Sequence, residues 1–148
     1  WIELDHENPS CIKLARQLFT SRISTGENES SLLGLTNLLT LNLADIFGLD
    51  MQWIGLSTAL NAALIASEYN CNISPHNFNG HLSTFMSASF SACIPNLGLL
   101  EYDFDDVPWR DEVFNNLPII KNGKFHFPEQ FIGWGTEPII NKLISHDI

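Results

Sequence analysis

"ADIFGLDMQWIGLSTALNAALIASEYNCNISPH", residues 44–76, holds a strand, a helix and a second strand in one short span. Its first seven residues are an apolar run of strand length that closes on Asp50. Residues 57–70 are apolar on most sides and long enough for a helix. "CNIS" is strand-like again and runs into Pro75 and His76. A strand, a returning helix and a strand make a βαβ unit, and the two strands then lie parallel. The strand runs are apolar throughout rather than alternating, as expected where both faces of a sheet are covered.

The same alternation extends in both directions. "WIEL" (1–4) is a short strand-like run, and "HENPSCIKLARQLF" (6–19) follows it. Asn8 suits a helix cap and Pro9 the first helical position. Cys11, Leu14, Ala15, Leu18 and Phe19 then fall at i, i+3, i+4, i+7 and i+8, which predicts one buried helical face. "SRISTGE" (21–27) is short, and "NESSLLGLTNLLTL" (28–41) reads as a helix with capping residues at its start. "GHLSTFMSASFSACI" (80–94) predicts another helix, and "LGLLE" (97–101) a last strand. No segment repeats another by residue identity. The expected class is α/β, with residues 1–101 forming part of a (β/α) barrel. Residues 102–148 break the pattern with four prolines and form a separate C-terminal segment. "KNG" at 121–123 predicts a hairpin, and "PIINKLISHDI" a short closing helix.

Composition narrows the partners. The chain has 148 residues, 45% of them hydrophobic, and a formal net charge of -10. A basic face, expected of a nucleic-acid binder, is missing. No apolar stretch reaches the roughly 20 residues of a membrane span. The three cysteines, Cys11, Cys71 and Cys93, sit unpaired in apolar runs and are expected to be reduced core residues. No signal peptide is read in the sequence, and the expected location is the cytoplasm. The missing initiator Met and the abrupt apolar start suggest a fragment or a processed product.

Glu3, Glu27, Asp50, His76 and Glu101 end successive strands at intervals of 24, 23, 26 and 25 residues. Five ionisable residues therefore reach one edge of the sheet, where a (β/α) barrel keeps its active site. Glu3 and Glu27 are hard oxygen donors of the kind Mg²⁺ takes; the alternative is a pair of solvent-facing glutamates. Asp50 would hold one imidazole nitrogen of His76 and raise the basicity of the other; alternatively His76 caps the helix starting near Gly80. Glu101 would donate a hydrogen bond to a carboxylate substrate if kept protonated by burial; alternatively it faces solvent. Asn77, Asn79, Trp109 and Arg110 are candidates to touch sugar hydroxyls or a carboxylate, against packing and a surface charge pair for the last two. His6, His81, His126 and His146 show no ligand spacing and read as ordinary.

In order and spacing, "WIELD", "TGEN", "FGLDMQWIG", "SPHNFNGHLSTFMSAS" and "CIPNLGLLEYDFDD" resemble the later barrel strands of the enolase superfamily. The likeness is to its mandelate racemase branch, and within that to sugar-acid dehydratases. "PWRDEVF", "KNGKFHFP" and "GWGTEP" are similar to that branch's C-terminal segment, which returns toward the capping region. The resemblance implies the C-terminal part of a (β/α)₇β TIM-type barrel, with the N-terminal capping domain and first strands absent. It implies one Mg²⁺ and removal of a proton beside a carboxylate. By the same likeness, Glu3 and Glu27 match two of three metal ligands, Asp50 and His76 the base dyad, and Glu101 the acid that stabilises the enolate. The first metal ligand, an Asp one strand earlier, and a Lys-x-Lys strand before it are absent. "IGLS" replaces a usual glycine pair, and "WIELD" lacks a common proline. The expected function is Mg²⁺-dependent dehydration of an aldonate or aldarate by the full-length parent, which is expected to be a homo-oligomer. The alternatives are a racemase or epimerase of a 2-hydroxy acid on the same scaffold, an inactive truncated half-barrel, or an α/β binding module without chemistry.

Overall fold

Asn8, Ser31 and Asp50 each start a helix by offering a side-chain oxygen to an amide that the first turn leaves unpaired. Asn8 Oδ1 accepts from the Cys11 N–H at 3.1 Å, Ser31 Oγ from Gly34 at 3.0 Å, and Asp50 Oδ1 from Gln52 at 2.8 Å. The helices so begun are α1 (Pro9–Leu18), α2 (Leu32–Thr40) and α3 (Met51–Ile54). Gly55, at φ 79, then turns the chain into α4 (Leu56–Glu68), and α5 (Gly80–Ser91) follows. The structure, a computed structural model, describes residues 1–5, 7–104, 107–130 and 132–145. The readings placed on His6, His146, Asp105 and Asp106 lie outside these residues.

The chain forms two compact units. The first comprises residues 1–76 and 90–101. Its strands β1 (Ile2–Glu3), β2 (Ile23–Thr25), β3 (Ile46–Phe47) and β4 (Asn72–Ile73) lie side by side in chain order, all parallel. The registers align Ile2 with Ile23, Ser24 with Ile46, and Ile46 with Asn72. "LGLLE", expected as a strand, contributes a single parallel bridge from Leu97 to Ile73. The core joins Ile23, Ile46, Phe47 and Ile73 of the sheet to Leu35, Leu38 and Leu39 of α2. Ala59, Ala62, Ala63 and Ala66 line one face of α4, and these small side chains let α4 approach α2 closely. Each buried Leu or Ile in this core contributes about 1.5–3 kcal/mol.

Three expectations need correction. On α1 the buried residues are Ile12 and Ala15, while Cys11, Leu14, Leu18 and Phe19 are exposed. Within the described residues the apolar side chains of α1 spread over more than one face, and the core takes the Ile12 side. Of the cysteines, Cys71 is buried but Cys11 and Cys93 are exposed, so two of the three are not core residues. The short helix α3, between Asp50 and Gly55, was not expected; Asp50 begins it by capping.

The second unit comprises residues 77–89 and the chain from Tyr102 onward. A 3-10 helix (Arg110–Val113) leads to the hairpin β5 (Ile119–Lys121) and β6 (Lys124–His126). Asn122 and Gly123 have φ of 53° and 70°, the left-handed pair that a tight two-residue hairpin turn demands. Phe85 meets Phe125 edge to face at 5.2 Å, and Phe114 bridges Pro138 before α6 (Ile140–Ile144). Among the described residues no helix is long and apolar enough to cross a membrane.

Candidate active site

The first unit gathers Glu3, Glu27, Asp50, His76 and Glu101. Glu3 closes β1, whereas Glu27, Asp50 and His76 stand two or three residues beyond the ends of β2, β3 and β4. Parallel strands in one register bring such positions to one edge of the sheet. His76 lies at the centre. Its Nδ1–H donates to Glu101 Oε2 at 3.0 Å, and Glu27 Oε2 stands 3.5 Å from the same nitrogen. The hydrogen bond to Glu101 raises the His76 pKa most; burial opposes it, and the charges of Glu101, Glu27 and Asp50 add to the rise. An imidazole so placed holds a proton among carboxylates.

Glu3 shares this field. Its carboxyl is held above the usual carboxylate range, by partial burial first and then by the negative charges of Glu101 and Glu27, with His76 pulling the other way. Gly48 keeps the space between these groups open. A Cβ there would lie 3.6 Å from Glu3 Oε1, 3.7 Å from Ser24 Oγ and 3.9 Å from Glu27 Cβ. The Ser24 hydroxyl is buried with no hydrogen-bond partner among the described residues.

Asp50 was expected to hold the imidazole; its buried carboxylate accepts the Gln52 N–H to cap α3, and its charge contributes to the raised His76 pKa. The remaining candidates lie in the second unit. Asn77 is buried, donating from Nδ2 to Thr84 Oγ1 at 3.0 Å and accepting from Ser83 Oγ at 2.7 Å, so its amide braces the first turn of α5. Asn79 is exposed and Trp109 half-buried. Arg110 donates from Nη1 to the Asp103 carbonyl at 2.7 Å. Sequence reasoning passed over His81 as ordinary. It is buried, with its Nε2–H donating to Asp111 Oδ1 at 2.6 Å. A partner 30 residues away leaves no local signal.

The sheet and its helices have counterparts among known proteins. The profile of the enolase C-terminal domain-like family matches residues 3–141. This chain belongs to that family. Its parallel sheet and helices are the C-terminal part of an enolase-type barrel. This enolase-type chain is 30% identical over 133 residues to the D-xylonate dehydratase of Haloferax volcanii, covering 88% of itself and 32% of that protein. A Burkholderia xenovorans structure, provisionally assigned as an L-alanine-DL-glutamate epimerase, holds magnesium and fumarate. It is 32% identical with a TM-score of 0.91, over 99% of this chain and 36% of that one. The 3,6-anhydro-D-galactonate cycloisomerase of Zobellia galactanivorans is 26% identical with a TM-score of 0.87, over 98% of this chain and 42% of its own. The chain thus spans about a third of the length of the first two relatives.

A magnesium ion fits the donors present in kind but not in number. Two hard carboxylates, Glu3 and Glu27, lie with the buried Ser24 hydroxyl, unpartnered among the described residues, around Gly48, and the Glu3 pKa is raised first by burial and then by the neighbouring carboxylates. Among the described residues, no three ligating side chains converge as a metal site.

Proposed function

We propose that this chain carries the proton-transfer residues and two metal carboxylates of a Mg²⁺-dependent sugar-acid dehydratase. The reaction removes the proton beside the carboxylate of an aldonate or aldarate and expels the β-hydroxyl as water, leaving a 2-keto acid. The activity belongs to a protein of which this chain is one part, since it spans 32% of the D-xylonate dehydratase it resembles. The observation that carries the reading is the 3.0 Å His76–Glu101 hydrogen bond with Glu27 at 3.5 Å, an acid–base group set among carboxylates.

Each residue has a task. His76 takes the proton from carbon or gives one to the departing hydroxyl, within the 10²–10⁴-fold range typical of general acid–base groups. Glu101, held against His76, acts beside the substrate carboxylate as the group that steadies the enolate, with the His76 proton shared between them. Asp50 biases His76 toward its protonated form through space. Glu3 and Glu27 would hold Mg²⁺ with a third ligand outside this set, and the ion supplies positive charge to the substrate carboxylate when bound.

The test is turnover of a panel of aldonic and aldaric acids with Mg²⁺ by the protein that contains this chain, scored as 2-keto acid. No product from any of them sinks the dehydratase reading. The 32% identity to the Burkholderia relative favours a second reading, an epimerase or racemase. Deuterium from heavy water would then enter recovered, inverted substrate with no keto acid formed. Silence in both assays would leave the chain as a scaffold with inherited site residues.

A further inference from the structure

A second polar cluster lies outside the site just described; His81 and Asp103 in it are buried, Arg110 is half-buried and Asp111 is exposed. His81, 2% exposed, donates its Nε2–H to Asp111 Oδ1 at 2.6 Å and meets the Phe114 ring edge-on at 5.5 Å. Arg110 stands next to Asp111 in sequence, with its Nε 3.8 Å from the same Oδ1. Arg110 Nη1 donates to the Asp103 carbonyl at 2.7 Å and lies 3.9 Å from Asp103 Oδ2. Asp103 is buried, and its Oδ1 has no hydrogen-bond partner among the described residues. A buried carboxylate left short of partners costs stability. Such a cost points to a role other than folding.

The placement of these four residues along the chain suggests the role. The chain leaves the first unit directly after His76 and again directly after Glu101. His81 sits five residues beyond the first exit, and Asp103 two residues beyond the second. Within the second unit, the run His81–Asp111–Arg110–Asp103 ties the two exiting segments together. Just before those exits, His76 and Glu101 share their hydrogen bond. We propose that His81, Asp111, Arg110 and Asp103 form a clasp that positions His76 against Glu101 through the chain segments they join. The inference rests on the proton-transfer reading above for its purpose, but the positioning itself is measurable without turnover.

The experiment follows the His76 Nδ1–H resonance in the 148-residue chain with isotope-labelled histidine. The signal is assigned by its loss in Glu101→Gln. In Asp111→Ala it should shift or broaden away, and amides at 76–81 and 101–104 should exchange about tenfold faster, while those of the hairpin at 119–126 stay unchanged. His81→Gln keeps an N–H donor and should preserve both signals, whereas His81→Phe should behave like Asp111→Ala. Should Asp111→Ala fail to fold, Arg110→Gln breaks the same run from its other side. An unaltered His76 signal in folded Asp111→Ala or Arg110→Gln overturns the clasp, as does faster exchange spread evenly over the chain. A parent protein without dehydratase activity would defeat the proposed function and leave these measurements standing.

Discussion

His76 Nδ1 and Glu101 Oε2, 25 residues apart in sequence, meet at 3.0 Å. The helix α5 separates them along the chain, and the pairing of Ile73 with Leu97 brings the segments that carry them side by side. Because this hydrogen bond is the largest cause of the raised His76 pKa, Glu101→Gln should bring that pKa down toward the ordinary histidine value. A histidine NMR titration of the two proteins reads the change directly. The raised pKa also stabilises the folded chain at and below the ordinary histidine pKa, and this contribution is lost as pH rises through the folded value. Denaturation midpoints of the wild type and Glu101→Gln should therefore converge toward alkaline pH. A gap that widened would contradict the assignment.

His76→Asn keeps a side chain of similar size without a group that titrates near neutrality. In the full-length protein, turnover should fall by about 10²–10⁴-fold, with circular dichroism unchanged. A rate within about twofold of wild type would remove His76 from the proton-transfer step.

Glu3 offers the opposite sign. Its carboxyl pKa is raised by burial, Glu101 and Glu27, so the folded state holds the proton more tightly than the unfolded chain does. The folded state therefore loses stability as pH rises from the ordinary carboxylate pKa through the raised one. Glu3→Gln removes that charge and should raise the melting temperature at pH 7, with the gain vanishing in acid. A lower melting temperature at pH 7 would show that the Glu3 carboxylate supports the fold.

Gly98 approaches its neighbours too closely for any side chain. A Cβ there would lie 2.7 Å from Ser74 Oγ and 3.3 Å from the Ile73 carbonyl oxygen. The Ser74 hydroxyl also accepts from the Leu99 N–H at 3.1 Å, so it cannot swing aside without losing that bond. Gly98→Ala should destabilise the chain by about 1–3 kcal/mol in denaturant titration, as overpacking does. Gly48→Ala meets only ordinary contacts of 3.6 Å or more and serves as the tolerated comparison.

Local pattern made the alternation of strands and helices legible in the sequence. Asn8 before Pro9 announced α1, and "KNG" announced the hairpin, because caps and tight turns are decided by a few adjacent residues. The gathering of Glu3, Glu27, His76 and Glu101 followed from equal spacing once the strands were taken as parallel. What depended on distant partners was hidden. The exposed row Cys11, Leu14, Leu18 and Phe19 has the periodicity of a buried face, and periodicity does not say which face the core will take. The bond from His81 to Asp111, 30 residues away, left no trace in spacing, and even the nearby partners that Asn77 takes, Ser83 and Thr84, are chosen by how α5 begins rather than by residue type.

Burial pushes the Cys71 thiol up to about 12, while Cys11 and Cys93 lie open to solvent. Only thiolates attack maleimides and peroxides, so Cys71 stays unmodified where the other two are consumed. Mass spectrometry of dye-treated native protein should record two adducts and a third only after denaturation. Fluorophores or spin labels attached without mutagenesis will thus report from α1 and from the end of α5, and air-oxidised stocks will join molecule to molecule through those same two positions.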